Sequence, residues 1–191
     1  GELVDVIFAA SSNGAIAAPA ILSIVLDTLG PIWPGRLSLE GRPLGDCWRH
    51  PAISGFVPLH KLSQWMAYSL IEPLEAAGLK IVDLDGLTGL AEYRNGGLFV
   101  DTGVIALRDP DDARIRHPVD SPTVVAWRSL TVALLDELAP MVRERLGVSK
   151  RDFPLARVLE GGTWAAGRRI ARQLRADGGP PITVISDGTV F

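Results

Sequence analysis

The 191-residue sequence predicts a mostly α protein of α+β type, a helical domain carrying a small β hairpin or sheet. Three observations predict it. Long segments repeat apolar residues at intervals of three and four, the period of a helix face. Helix-start and helix-stop residues stand where those segments begin and end. The segments with strand character are few and short. An apolar share of 47% and a charged share of 21% belong to a globular chain rather than a disordered one. The length suits one domain over residues 1–191 with a substantial core.

Taken in order, the first ten residues are apolar and alternate weakly until "SSNG" breaks the pattern. Residues 17–29 read as a buried helix, with Ile21, Leu22, Val25, Leu26 and Leu29 in helical spacing. Gly30 and Pro31 should end it. A Pro- and Gly-rich loop then runs to about residue 56, and Trp33, Trp48 and "GDCWRHP" are expected to order it. Pro58–Ala77 is helical in pattern. Leu59, Leu62, Met66, Leu70 and Leu74 form its apolar stripe, and Lys61, Gln64, Tyr68, Glu72 and Glu75 the polar one. Pro73 should kink the last turn, where its ring opposes the Ser69 carbonyl, and Gly78 ends the helix. "LKIVDLD" reads as a short strand and "GLFVDTGVIAL" as a hairpin turning near Asp101–Gly103.

Ser121 as N-cap and Pro122 at the first helical position open a helix to about Leu146. Its expected core face is Trp127, Leu130, Leu134, Leu138 and Val142, with a bend at Pro140. A last helix covers about 155–176, weakened at Gly161–Gly162, and "GGPPITVISDGTVF" closes with a strand.

Composition excludes several function classes. A net charge of −3 gives no electrostatic reason to expect a nucleic-acid partner. Cys47 is the only cysteine, so neither an intrachain disulfide nor a thiolate zinc cage can form, and the cysteine is expected to be packed. His50, His60 and His117 lack metal-ligand spacing, so no metal site is expected. The most apolar run is interrupted by Pro19 and Asp27 and is too short to span a bilayer. No basic region precedes an apolar leader, so a cytoplasmic setting without membrane partners is the expectation. A start at Gly1 reads as a processed product or a cloned fragment. Phosphate-binding glycine loops, serine-hydrolase elbows and zincin motifs do not occur.

Chemistry-bearing residues concentrate around "GLTGLAEYRNGG", residues 86–97. Cleavage of a C–N or C–O bond at a sugar needs a carboxylate near the anomeric carbon and often a second acid. Glu92, with Asp85 and Asp101, supplies such carboxylates, and Asp83 lies close by in sequence. Arg94 suits bidentate contact with a carboxylate or phosphate, Tyr93 suits stacking on a ring, and Asn95 adds hydrogen-bonding capacity. The competing reading is a polar turn whose Arg94 pairs with Asp101 or Asp85. Lys61, Gln64 and Trp65 would reach a ligand if their helix lines a pocket, although such a stripe is ordinarily solvated. In "DCWRHP", Asp46 with His60 and Lys61 offers acid–base groups, while Trp48 and Arg49 would form a cation–π clasp. Arg168, Arg172 and Arg175 run along one side of the last helix; they make a phosphate site conceivable, against the commoner outcome of a solvated stripe.

Several phrases together resemble one family: "LGPIWPGRL", "PLGDCWRHP", "HKLSQWMAYSLIEPLEAAG", "DLDGLTGLAEYRNGGLFVDTGVIALRDP", "WRSLTVALLDELAP", "VLEGGTWAAGRRIA" and "GGPPITVISDGTVF". They are similar to a uracil-catabolism family of fungi and bacteria, long described as a domain of unknown function. That family is tied to a pathway that opens the pyrimidine ring through a ribosylurea-type intermediate. Its members are roughly twice as long, so the resemblance implies a carboxy-terminal half whose amino-terminal half would act with it. A second, shorter similarity joins Ala91, Glu92, Tyr93 and Arg94 to the Ala-Asp-Tyr-Arg segment of queuosine-nucleotide salvage glycosidases, which have a DNA-glycosylase-like helical fold. Together the resemblances imply an N-ribosyl hydrolase acting on a ribosylurea-like compound or its phosphate. Glu92 would stabilise the oxocarbenium ion or activate water, and Asp83, Asp85 or Asp101 would be the second acid or hold ribose hydroxyls. Arg94 and Lys61 would orient substrate or bind phosphate, with Tyr93 or Trp65 as a pocket wall and no cofactor. The alternative expectation is a non-catalytic pathway protein that binds an intermediate or a partner enzyme.

Overall fold

Helical spacing is realised along most of the chain, and the strands are two or three residues long. The computed structural model describes residues 2–33, 35–186 and 188. Helix α1 (Glu2–Ala10) takes the first apolar run and buries Ile7. Strand β1 (Ala15–Ala17) leads into α2 (Ala18–Leu29), which buries Ala18, Ile21 and Val25, in keeping with the predicted spacing. The α-helix ends at Leu29 with Gly30 as its C-cap, as predicted, and the chain continues into a 3-10 turn, Gly30–Ile32.

The long loop that follows is broken by short strands. β2 (Ser38–Leu39) and β3 (Arg42–Pro43) pair antiparallel around Glu40 and Gly41, both at positive φ. That two-residue turn matches the twist of paired strands. β4 (Cys47–Trp48) pairs antiparallel with β5 (Val57–Pro58). Trp48 is buried as expected, but Arg49 stacks on Phe56 at 4.4 Å rather than on Trp48, which faces Arg128 at 6.0 Å. Because β5 takes up Val57 and Pro58, helix α3 (Lys61–Ala76) begins three residues after the predicted start. β6 (Lys80–Val82) lies in the predicted "LKIVDLD" strand and pairs parallel with β1, Ile16 opposite Ile81.

The predicted hairpin over "GLFVDTGVIAL" is not formed. Residues Tyr93–Asp101 are helix α4, capped at its start by Glu92. Glycine, valine and phenylalanine have strand and turn character in isolation, but a built Cβ at Gly96 would sit 2.7 Å from the Trp127 and Thr131 side chains. The glycines serve close helix packing, not a turn. β7 (Arg116–Pro118) precedes α5 (Pro122–Leu146), whose Ser121 hydroxyl accepts from the Val124 N–H, as the capping signal predicts. Pro140 lies inside this helix.

The predicted core face of α5 holds in part: Trp127 is buried and Leu134, Leu138 and Val142 pack against the same core, and further residues of the helix are buried beside them. Val124, Arg128, Thr131, Leu135, Ala139 and Arg143 are buried, whereas Leu130 is 47% exposed. Arg128 Nε donates to the Ala91 carbonyl, Arg143 Nε to the Phe153 carbonyl and Thr131 to the Trp127 carbonyl. Buried polar side chains that satisfy backbone acceptors hide a core face from a reading based on apolar periodicity.

The last predicted helix is present in three parts: α6 (Leu155–Val158), a π-helical turn (Leu159–Trp164) and α7 (Ala165–Leu174). The wide turn falls at Gly161–Gly162, where weakening is expected. β8 (Thr183–Ile185) pairs parallel with β7. The remainder of the predicted closing strand at Asp187 and Thr189–Phe191 lies outside the described residues.

Packing groups the chain into two compact units. Gly1–Asp46 with His60–Thr88 encloses a core that includes Ile7, Ile21, Val25, Leu74, Ile81 and Leu87. Cys47–Leu59 with Gly89–Phe191 encloses one around Phe99, Trp127, Leu135, Leu155, Val158 and Ile182. A second cluster in that unit joins Trp48, Leu59, Ala91, Val119 and Val125. Cys47 is buried, as expected for a packed cysteine. No helix among the described residues is long and apolar enough to cross a membrane.

Candidate functional site

The segment "AEYRNGG" is the start of α4. Glu92 has an extended backbone, and its carboxylate curls back to accept from Arg94 N–H at 2.8 Å and Asn95 N–H at 2.5 Å. It thereby satisfies two of the amide groups that a helix start leaves without intrahelical partners, at the positive end of the helix dipole. Glu92 is 7% exposed. Asn95 is buried beside it; its Oδ1 accepts from the Thr163 hydroxyl at 2.9 Å, which ties α4 to the π-helical turn. Gly167 of α7 lies against the Arg94 carbonyl so closely that a built Cβ would collide with it. The two helices therefore meet backbone to backbone, which fixes where Tyr93 and Arg94 project.

Those two residues line a cleft of about 400 Å³ together with Arg168, Arg172, Asp177 and the Gly178–Pro180 backbone. The Arg94 guanidinium lies 4.6 Å from the Tyr93 ring centroid and 5.6 Å from that of Trp164. Arg168 lies 4.8 Å from the same Trp164 ring. Trp164, Arg168 and Arg172 recur every fourth residue, so one helix face delivers all three. Planar guanidiniums held on aromatic faces keep their N–H edges oriented, an arrangement suited to carboxylate or phosphate oxygens.

Arg175, read in sequence as part of the same stripe, is engaged elsewhere. Its Nη1 and Nη2 donate to the two Asp101 carboxylate oxygens at 2.7 and 2.5 Å, and its Nε donates to the Gly179 carbonyl at 2.7 Å. Hydrogen bonding to Asp101 raises the Arg175 guanidinium above its ordinary range, against the opposing effect of burial. The Asp101 side chain is only 4% exposed. The sequence alternative that paired Arg94 with Asp101 is thus replaced by an Arg175–Asp101 pair, which anchors residues 175–179 at the cleft wall.

The other predicted site residues belong to the first unit. Lys61 and Gln64 are buried rather than solvated, and Trp65 is exposed. Gln64 Oε1 accepts from Thr88 N–H at 3.3 Å, and the Tyr68 hydroxyl donates to the Thr88 carbonyl at 3.0 Å. The first half of the predicted polar stripe therefore clamps the chain at Thr88. Asp83 is exposed in a left-handed conformation, and Asp85 is half-buried in a 3-10 turn. Asp46 caps α3, its carboxylate accepting from Lys61 N–H at 2.9 Å and its carbonyl from His60 N–H at 3.1 Å. Burial lowers the His60 pKa below its ordinary value, and the Asp46 charge opposes that shift.

Within the second unit, the structure brings Tyr93 and Arg94 into the cleft and places Asp101 beneath it. Glu92 and Asn95 are buried at the start of α4 and are not among the cleft-lining residues. Trp164 and Asp177 were not singled out from the sequence. The four-residue spacing of Trp164 with Arg168 and Arg172 is the signal that points to the former; Asp177 has none. Among the described residues no group of three or more His, Cys, Asp or Glu side chains forms a metal-binding set.

Comparison with known proteins adds the family context. The model of a family described as a protein of unknown function, DUF1688, matches residues 1–191. The chain is 47% identical over 164 residues to Protein urg3 of Schizosaccharomyces pombe, covering 84% of this chain and 41% of that protein. It is 39% identical over 224 aligned positions to Uracil catabolism protein 4 of Lachancea kluyveri, covering 100% of this chain and 50% of that protein. The chain thus spans half or less of the length of these curated relatives. No solved structure matches it.

Proposed function

The chain belongs to the DUF1688 family, and from that membership we propose that it serves uracil catabolism as part of an N-ribosyl hydrolase. The substrate is a ribosylurea-like compound or its phosphate. The supporting observation is the start of α4, where a buried carboxylate, Glu92, immediately precedes two residues that line a cleft, Tyr93 and Arg94. The name of the Lachancea kluyveri relative supports the pathway.

In this reading water adds across the bond between the anomeric carbon and nitrogen. Hydroxyl goes to carbon and a proton to the departing nitrogen, leaving the sugar and urea. The transition state carries oxocarbenium-like positive charge, which a fixed carboxylate stabilises. Glu92 supplies that charge from the start of α4, next in sequence to the cleft-lining Tyr93 and Arg94 rather than as a lining group itself, and its backbone hydrogen bonds hold it in one position. Asp101 acts through Arg175 to hold the cleft wall and is not the second acid. The reaction needs no cofactor, and the additional length of the relatives acts with this half.

The test is urea release from ribosylurea and from its phosphate monoester by the purified protein. Glu92→Gln is expected to lower kcat by about 100-fold or more, the range of a lost catalytic carboxylate, while the circular dichroism spectrum is kept. Undiminished release by that variant would remove Glu92 from the mechanism. Absence of release by the unaltered protein would leave the non-catalytic alternative, a protein that binds a pathway intermediate.

A further inference from the structure

We propose that the cleft between α4 and α7 is a phosphate-monoester subsite, in which Arg168 and Arg172, with Arg94, hold the anionic end of a phosphorylated sugar. The sugar rests on the N-ribosyl reading above; the phosphate rests on the cleft itself.

Three guanidiniums line one cleft of about 400 Å³. Arg168 and Arg172 are four residues apart on one helix, a like-charge spacing that disfavours the empty helix. Among the described residues Arg94, Arg168 and Arg172 form no ion pair with a carboxylate, whereas neighbouring Arg175 is fully engaged by Asp101. A merely structural cluster would show pairing of the Arg175 kind on each member. Instead, aromatic faces hold two of the three: Arg94 beside Tyr93 and Trp164, and Arg168 on Trp164. Such support orients the cations without consuming their hydrogen bonds, and planar guanidinium forks match phosphate oxygens.

Residues 177–180 line the same cleft, packed against Arg172. Gly178 has a φ of +62°, and a Cβ there would come within 3.0 Å of Arg172 Cγ. Asp177 also lines the cleft; its Oδ1 accepts from Gly179 N–H at 2.9 Å. A carboxylate lining the same cleft as three guanidiniums fits a ligand that combines an anion with hydroxyl donors, as a sugar phosphate does. The volume suits a small molecule of that size.

Calorimetric titration of the purified protein with ribose-5-phosphate, ribose and inorganic phosphate tests the assignment, and the double variant Arg168→Gln/Arg172→Gln should bind the ester about tenfold more weakly or worse. Ribose should bind at least about tenfold more weakly than its phosphate ester. Arg172→Glu, at an exposed position, should abolish binding in a protein of unchanged melting temperature and serves should the double variant misfold. Equal binding of ribose and its ester, or unchanged binding by these variants, overturns the proposal. Inorganic phosphate binding as tightly as the ester overturns it too, since the site would then take any anion. The readout is independent of turnover. Saturable ester binding without urea release leaves this subsite standing and removes the hydrolase reading; urea release without ester binding does the reverse.

Discussion

Glu92 and Asp101 are both buried carboxylates nine positions apart in sequence, and what their oxygens meet separates them. Glu92 accepts backbone amides at a helix start; Asp101 grips the guanidinium of Arg175. Loss of a capping carboxylate costs about 1 kcal/mol, so Glu92→Ala should lower stability by about that amount in urea denaturation, where Glu92→Gln loses less. Asp101→Asn leaves a partly buried arginine without its charged partner and should cost about 2 kcal/mol by the same measurement. Neither oxygen environment is visible in "AEYRNGGLFVD", because backbone amides and a residue 74 positions away supply the partners. Residue type showed that carboxylates cluster here; it did not show which of them is spoken for.

Elements with strong local signals were legible: α2 from its three–four spacing, α5 from Ser121 and Pro122, and the weak centre of the last helix from Gly161–Gly162. Helix α4 was not, since its glycines favour turns locally and are placed there for contact. Gly167 gives the clearest test. Alanine is favoured over glycine in a helix by about 1 kcal/mol, yet here its Cβ meets the Arg94 carbonyl, which cannot swing away. Gly167→Ala should therefore destabilise by about 3 kcal/mol, read as a fall in the urea midpoint. The start of α3 gives another. His60 sits there in a left-handed conformation, with its pKa depressed below the ordinary 6.5 by burial. As pH falls the unfolded chain takes up the proton first. The histidine's contribution is therefore full above 6.5 and is lost as pH falls through the lower folded value. Melting temperatures between about pH 8 and pH 5 should show this decline, and His60→Asn, which tolerates the same backbone, should remove that component.

Across the molecule, the chain passes between its two compact units at residues 46–47, 59–60 and 88–89. The Cys47–Leu59 segment is part of the second unit though it lies between segments of the first. Residues 89–191 expressed alone would lack Trp48 and Leu59, which pack against Ala91, Val119 and Val125. That fragment should melt without the cooperative transition of the full chain in calorimetry, because removing a buried tryptophan alone typically costs about 3–5 kcal/mol. Residue order was enough to set the helical character, most helix positions and the neighbourhood of the candidate site, since periodicity, caps and prolines act within a few residues. It could not set which arginines, among the described residues, line a cleft without a carboxylate partner, which carboxylate caps and which pairs, or that "GGLFVD" is helix. Those outcomes depend on partners distant in sequence, such as Arg94 beside Trp164 and Asp101 beside Arg175, and only the folded chain brings such partners within contact.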